Sequence, residues 1–574
     1  MSESKDKRHP AATGRFASYA EIVSNFSFFP AGRIPFKGNK SKVSPLDIFL
    51  VAVLLLISVF FTILFNRNNF SGIKIFFEYI LVWAFLSFSY IYFIKNIIRG
   101  YFTGKTSLKT ALPDDFTKRT RGLSDAELKT IRNIEKPFSL GILRNKDKMP
   151  DLFICVPREK RFEHIVVISP TGGGKTSRYI VPGIIDDAGY EKTSVFAIDI
   201  DSPYLFKSAS GEWLKNSKKV VNFDPFYGGI HFNPLMESPG KPLSDDGLFS
   251  ISTLLFHIGS EEMKNADVHA HKYYSKRSSE IFFGSMLYLK YRYEASFFNL
   301  PTVKSFFEKG AKFIESGIKG FTGEKNKKIR EIFTNFFELP LSERAKIITD
   351  ILINLDFLND GNVSSRFKSA DDKAEEFFLE DFFNNDTLFI AGIPKEKISA
   401  GGEKLMSFIA GIFIKGVYEH RRNVLFRAEG ERDIFIYLDE FPALFLNDFD
   451  VELANLRKTG TGVFLTAQDI SFIKKRYGDA PLILSNVGTQ ILIGNPGYET
   501  CEYYSRRSGL KYVDNRELLQ KTAGRPGIWN KKEASVASGL YPLISPEELK
   551  NMERDSAFIY TKFTNPFILN LIPR

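Results

Sequence analysis

The chain has 574 residues, 44% of them apolar, with 78 basic and 67 acidic side chains and a formal net charge of +11. That length accommodates three or four domains, and the composition excludes a disordered chain. The positive balance favours an anionic partner, nucleic acid or the cytoplasmic face of a membrane. The only two cysteines, Cys155 and Cys501, lie far apart with no histidine at metal-ligand spacing, which argues against a disulfide framework or a structural zinc site.

In chain order, a Ser/Lys-rich start reads as a tail, and two apolar segments follow, Ile48 to Phe65 without a charge and Ile75 to Ile94 with only Glu78. Each is apolar on every side rather than along one stripe, so the pair reads as two membrane spans rather than a buried hairpin. Lys/Arg flank the pair on its outer sides (Arg33, Lys37, Lys40, Lys42; Lys95, Arg99, Lys105, Lys109), against Arg67 and Lys74 in the connection. Both termini are therefore expected in the cytoplasm.

From His164 the sequence HIVVIS predicts a buried strand, Pro170 to Gly174 a loop, and Thr176 to Ile185 a helix. That is the order of a phosphate-binding loop. The N–H groups of Gly172, Gly173, Gly174 and the helix start, including Thr176 and Ser177, would face nucleotide phosphates. Lys175 would reach the β and γ oxygens, and the Thr176 hydroxyl would serve Mg²⁺. Ser169 stands where the usual motif begins with glycine. Further on, DIFIYLDE (433 to 440) predicts a central parallel strand delivering two acids at its C-terminal edge. Asp439 would hold Mg²⁺ through water and Glu440 would act on the attacking water, a combination that points to an ATPase.

Between these motifs, long helical patterns such as 273 to 293 and 343 to 358 predict an all-α insertion, residues 241–380. After it come a strand (387 to 394), a helix (401 to 422), a strand (462 to 468) ending at Gln468, and another strand (489 to 495). Alternation of this kind implies an α/β fold, a mostly parallel sheet with helices on both faces. The expected organisation is a cytoplasmic segment 1–44, two transmembrane helices in 45–96, and a nucleotide-binding domain in two parts, 97–240 and 381–574, around the insertion. Basic and aromatic residues mix in KYYSKR (272 to 277) and KYRY (290 to 293). Such residues stack on single strands, but lysines snorkelling over an apolar helix face give the same letters and are the preferred reading.

Taken jointly, several stretches resemble the coupling-protein ATPases of type IV secretion and conjugation, the TraG/TraD-like family. They are the paired spans, HIVVISPTGGGKTSRYIVPGII (164 to 185), VVNFDPFYGGIHFNPL (220 to 235), YLDEFPAL (437 to 444) and RKTGTGVFLTAQDISFIKKRYG (457 to 478). IDIDSPYL (198 to 205) departs from the family's D-P-K-G-E-L, keeping only Asp199 of its acids and lysine. The resemblance implies a RecA-like P-loop NTPase domain and a homo-hexameric ring anchored in the bacterial inner membrane. It implies ATP and Mg²⁺ as cofactors, and as partners single-stranded DNA or a relaxase–DNA complex together with type IV secretion channel components. A receptor for protein effectors, using ATP for engagement rather than DNA pumping, is the alternative. It also assigns nucleotide binding to Thr171, Gly172, Gly174, Lys175 and Thr176, metal and water activation to Asp439 and Glu440, sensing to Gln468, and a trans-acting finger to Arg457. By residue chemistry alone, Gln468 is equally a solvated strand end, and Arg457 equally a helix-end arginine capping carbonyls or pairing with a carboxylate.

Overall fold

The structure is a computed structural model that describes residues 27–30, 138–143, 152–257, 268–321, 326–370, 372, 375–421, 431–513 and 539–571. Both expected membrane spans and the Ser/Lys-rich tail lie outside the described residues. Among the described residues no helix is long and apolar enough to cross a membrane.

Apolar runs form the strands of one thirteen-stranded sheet. In chain order these are β1 (Ser27–Pro30), β2 (Ser139–Leu143), β3 (Leu152–Cys155), β4 (Ile165–Ile168), β5 (Thr193–Asp199), β6 (Lys219–Asp224) and β7 (Gly228–Gly229). Then follow β8 (Thr387–Gly392), β9 (Asp433–Leu438), β10 (Thr461–Ala467), β11 (Thr489–Ile493), β12 (Ser556–Thr561) and β13 (Phe567–Asn570). Their spatial order is β1-β3-β2-β13-β12-β11-β4-β10-β9-β5-β8-β6-β7. From β11 to β6 neighbours run parallel. Beyond them the sheet continues antiparallel on both sides. The parallel strands β4, β5, β8, β9, β10 and β11 are buried at every position. Burial on both faces is why they read as unbroken apolar runs.

One sheet face is covered by α1 (Val181–Ala188) and α2 (Tyr204–Lys215), whose Ile184, Leu205, Ala209 and Trp213 pack on Val167, Val195, Ala197 and Ile390. The other meets the helices of the long intervening segment. These are α3 (Asp245–His257), α4 (Val268–Arg292), α5 (Leu300–Glu308), α6 (Gly310–Lys319), α7 (Lys327–Glu338) and α8 (Leu341–Asn354). The link between them and the sheet is α9 (Glu403–His420), in which every residue from Leu405 to Ile414 is buried. A helix apolar all round must be enclosed on all sides. Phe413 stacks on Phe196 of β5 at 4.1 Å, and a Cβ at Gly411 would lie 2.4 Å from Leu254 of α3. The intervening segment is helical through its middle. At its two ends, Lys241–Pro242 and Glu376–Phe377 form short strands, because each completes a two-stranded ladder with the chain that follows β7, at 236–238 and 231–232. Its phenylalanines join those of the sheet face in one continuous core.

Candidate functional site

The C-terminal edge of the parallel strands gathers the sequence motifs. β4 ends at Ile168, the loop follows, and the first helical turn after it, Thr176–Ile180, is a π turn that passes into α1. Pro182 can donate no N–H and its ring would crowd the carbonyl four residues back, so the widened turn relieves the helix there. Gly172 and Gly174 adopt φ of 78° and 94°, conformations open to glycine. Gly173 is needed for space: a Cβ there would stand 1.9 Å from Ser169 Oγ. Ser169, where the motif usually has glycine, thus fits only because its neighbour across the loop has no side chain.

Lys175 is buried, and its ammonium donates to Ser169 O at 2.9 Å and pairs with Glu440 Oε1 at 3.0 Å. Thr176 Oγ1 donates to Asp439 Oδ2 at 2.8 Å. The other Asp439 oxygen accepts from Thr466 Oγ1 at 2.6 Å, and Thr466 Oγ1 in turn accepts from Glu440 N at 2.8 Å. Strand order explains the need for Thr466. β10 separates β4 from β9, so the carboxylates reach the loop across β10 and are steadied by its hydroxyl. Glu440 sits in the left-handed region, φ 46°, which turns the chain sharply off the strand end. Burial raises the Glu440 pKa, partly opposed by the Lys175 charge. Thr171 Oγ1 donates to Gln468 Oε1 at 3.1 Å, so Gln468 stands over the loop.

The structure therefore brings together Thr171, Gly172, Gly173, Gly174, Lys175, Thr176, Asp439, Glu440 and Gln468, with Ser177 in the same turn. It sets Arg457 apart. Arg457 is in the last turn of α10 (Phe449–Lys458), half-exposed, 3.6 Å from Glu163 just before β4. That is the opposite end of the strands from Lys175, and the seven residues of β10 alone span about 20 Å. One group went unrecognised in the sequence, Thr466, and another, Asp199, was noted there without a role. Thr466 was detectable as the one hydroxyl within GVFLTA. Asp199, at the end of β5, accepts from the N–H groups of Asp201 and Leu205, and burial lifts its pKa to about 6, with the charge of Asp439 adding to the rise.

Fold and loop together define a phosphate-loop protein of the mixed α/β class, built on a large, mostly parallel sheet. Residues 127–571 match the family described as Type IV secretory system Conjugative DNA transfer, and the chain belongs to that family. Its role is in type IV DNA transfer. Among solved structures, the bacterial conjugative coupling protein TrwBdeltaN70 in its unbound monoclinic form is similar at 14% identity and a TM-score of 0.53, over 80% of this chain and 94% of that one. The plasmid coupling protein TrwB in complex with the non-hydrolysable ATP analogue ADPNP is similar at 15% identity and a TM-score of 0.52, over 80% and 95%. At such identities the likeness is one of fold. No curated protein matches the chain.

Proposed function

We propose that the chain is a membrane-anchored, hexameric ATPase that recruits DNA or nucleoprotein and energises its transfer through a type IV secretion channel. The observation that carries this is the convergence of Lys175, Thr176, Asp439 and Glu440 at one sheet edge in a member of the conjugative transfer family. Related TrwB has been solved with an ATP analogue, which supports ATP as the nucleotide. In this reading Lys175 exchanges its Glu440 partner for β and γ phosphate oxygens, and the loop N–H groups hold the remaining phosphate charge. Freed of Lys175, Glu440 has the burial and position to orient and polarise a water for attack, while Gln468 reads the γ-phosphate through its place beside Thr171.

Two hard oxygen donors 2.8 Å apart, Thr176 Oγ1 and Asp439 Oδ2, fit Mg²⁺, which protein sites hold by few ligands with water and phosphate completing the shell. Bound there, the ion would neutralise charge on the phosphates. We assign residues 1–44 to a cytoplasmic segment, 45–96 to the anchor, and 241–380 to the insertion between two parts of the motor domain. The six helices α3 to α8 support the last of these.

The test is ATP hydrolysis by the full-length, detergent-solubilised chain with and without single-stranded DNA. Hydrolysis stimulated by DNA and abolished in Lys175→Ala is the expected result. Wild-type activity in Lys175→Ala would overturn the motor reading. Activity that depends on Lys175 but ignores DNA would instead favour engagement of protein cargo.

A further inference from the structure

Arg178 stands two residues beyond Thr176, and none of the motifs accounts for it. Its side chain is only 10% exposed, and its Nη2 donates to Asp555 Oδ1 at 2.7 Å. Its Nε and Nη1 are buried without a hydrogen-bond partner. A buried guanidinium with two nitrogens unmet is costly, because a charged donor taken from water loses its hydration and gains nothing in return. Asp555 cannot satisfy them, since it engages the third nitrogen and is itself 61% exposed.

The position of Arg178 indicates what would. Thr176 turns toward Asp439 on β9. Two residues later the helix has rotated by roughly 160–200°, so Arg178 faces the other way, toward β11 and β12. Asp555 is the residue before β12, and Ser556 O accepts from Gly494 N just past the end of β11, at 3.4 Å. The segments at 494 and 554–556 therefore meet at the same sheet edge as the phosphate loop, on the flank away from Glu440. In a phosphate loop the lysine takes the β and γ phosphates and the helix start takes the phosphates nearer the sugar. The nucleoside must then continue past the first helical turn, along the flank where Arg178 and Asp555 lie.

We propose that Arg178, braced by Asp555, binds the nucleoside end of the nucleotide, its free Nε and Nη1 donating to ribose or base acceptors and its plane lying along the base. The inference rests on the phosphate-loop reading above and adds to it a contact that triphosphate alone does not make. A planar guanidinium suits this role where an ammonium does not, since it both donates in a fixed fork and stacks on an aromatic ring.

Calorimetric titration of the full-length solubilised chain with ADPNP and, separately, with inorganic tripolyphosphate tests it. Arg178→Ala is expected to weaken ADPNP about tenfold or more, the scale of a lost charged hydrogen bond, and to leave tripolyphosphate unchanged. Arg178→Lys, which keeps the charge beside Asp555 and so guards against a folding defect, is expected to show the same selective loss. Unchanged ADPNP affinity in both variants, or equal weakening of ADPNP and tripolyphosphate, would overturn the assignment. If Lys175→Ala bound tripolyphosphate as well as wild type, the phosphate-loop reading would fall first and take this one with it.

Discussion

His164 shows how a single side chain fixes the base of the site. It lies in the left-handed region at φ 65°, immediately before β4, and is fully buried. Val463 N donates to its Nδ1 at 3.1 Å, so that nitrogen carries no proton and Nε2 must donate to Leu453 O at 2.7 Å. One neutral ring thereby joins the phosphate-loop strand to α10 and β10. Burial depresses its pKa to about 4, and the nearby charges of Arg457 and Lys562 push the same way. An imidazole protonated more readily unfolded, near pH 6.5, than folded costs stability as pH falls from about 6.5 to 4, and no further below that. The loss amounts to about 3 kcal/mol. Asp199, with its raised pKa, acts in the opposite sense as pH falls, so the effect must be read as a difference between proteins. His164→Asn tolerates the left-handed backbone and is expected to be less stable than wild type at pH 7. That gap should narrow between pH 7 and pH 4 in thermal unfolding of the solubilised chain. A gap that stays constant would mean His164 does not titrate in this way.

At the scale of elements, the strand, loop and helix around Lys175 form a unit whose tolerance is set by Gly173. A Cβ there meets Ser169 Oγ at 1.9 Å, Pro170 O at 3.1 Å and Ser169 Cβ at 3.2 Å. Gly173→Ala is therefore expected to open the loop and lower ADPNP affinity tenfold or more, since donors displaced by about 1 Å lose most of a hydrogen bond. Ser169→Gly removes two of the three contacts, so the double variant should recover much of the affinity in the same titration. A double variant as weak as Gly173→Ala would place the strain elsewhere. The loop, the acids at 439 and 440, and the parallel strands were legible in the sequence because each is local: an apolar run, a glycine cluster or an acid at a strand end. What escaped is non-local. The strands β12 (SAFIYT) and β13 (FILN) are short, and β13 finds its outer partner β2 more than four hundred residues earlier in the chain. The π turn at 176–180 depends on the crowding around Pro182, and Thr466 matters only because β10 lies between the two motif-bearing strands. Periodicity carries none of that.

For the whole molecule, the position of Arg457 narrows what it can do. A side chain in the last turn of α10, before β10 begins, has no route to the Lys175 site of its own chain, across about 20 Å of strand. Only a neighbouring subunit's site remains open to it in the proposed ring, where a trans arginine is worth roughly 10³ to 10⁵ in rate. Mixing Arg457→Ala with Lys175→Ala chains should restore intact boundaries, about a quarter of them at equal mixing in a head-to-tail ring, and with them measurable hydrolysis. Mixed assemblies as inactive as either parent would leave Arg457 the structural partner of Glu163. The other end of the molecule raises a question of connection. β1 precedes both expected spans in sequence, yet it pairs antiparallel with β3 at the sheet edge, Ser27 opposite Cys155 and Phe28 opposite Ile154. Directly opposed residues have Cα atoms about 4.5–5.5 Å apart, within the range a disulfide bridges. Ser27→Cys should therefore cross-link to the native Cys155 on mild oxidation of the full-length chain in membranes. The product should run as a monomer in which, once denatured, only the Cys501 thiol labels until reduction frees the other two. Phe28→Cys serves as the register control, because Phe28 is paired with Ile154 rather than Cys155. Equal cross-linking of both variants, or of neither, would dissociate β1 from this edge. A disulfide found between two chains would instead seat each N-terminal strand on the sheet of the neighbouring subunit.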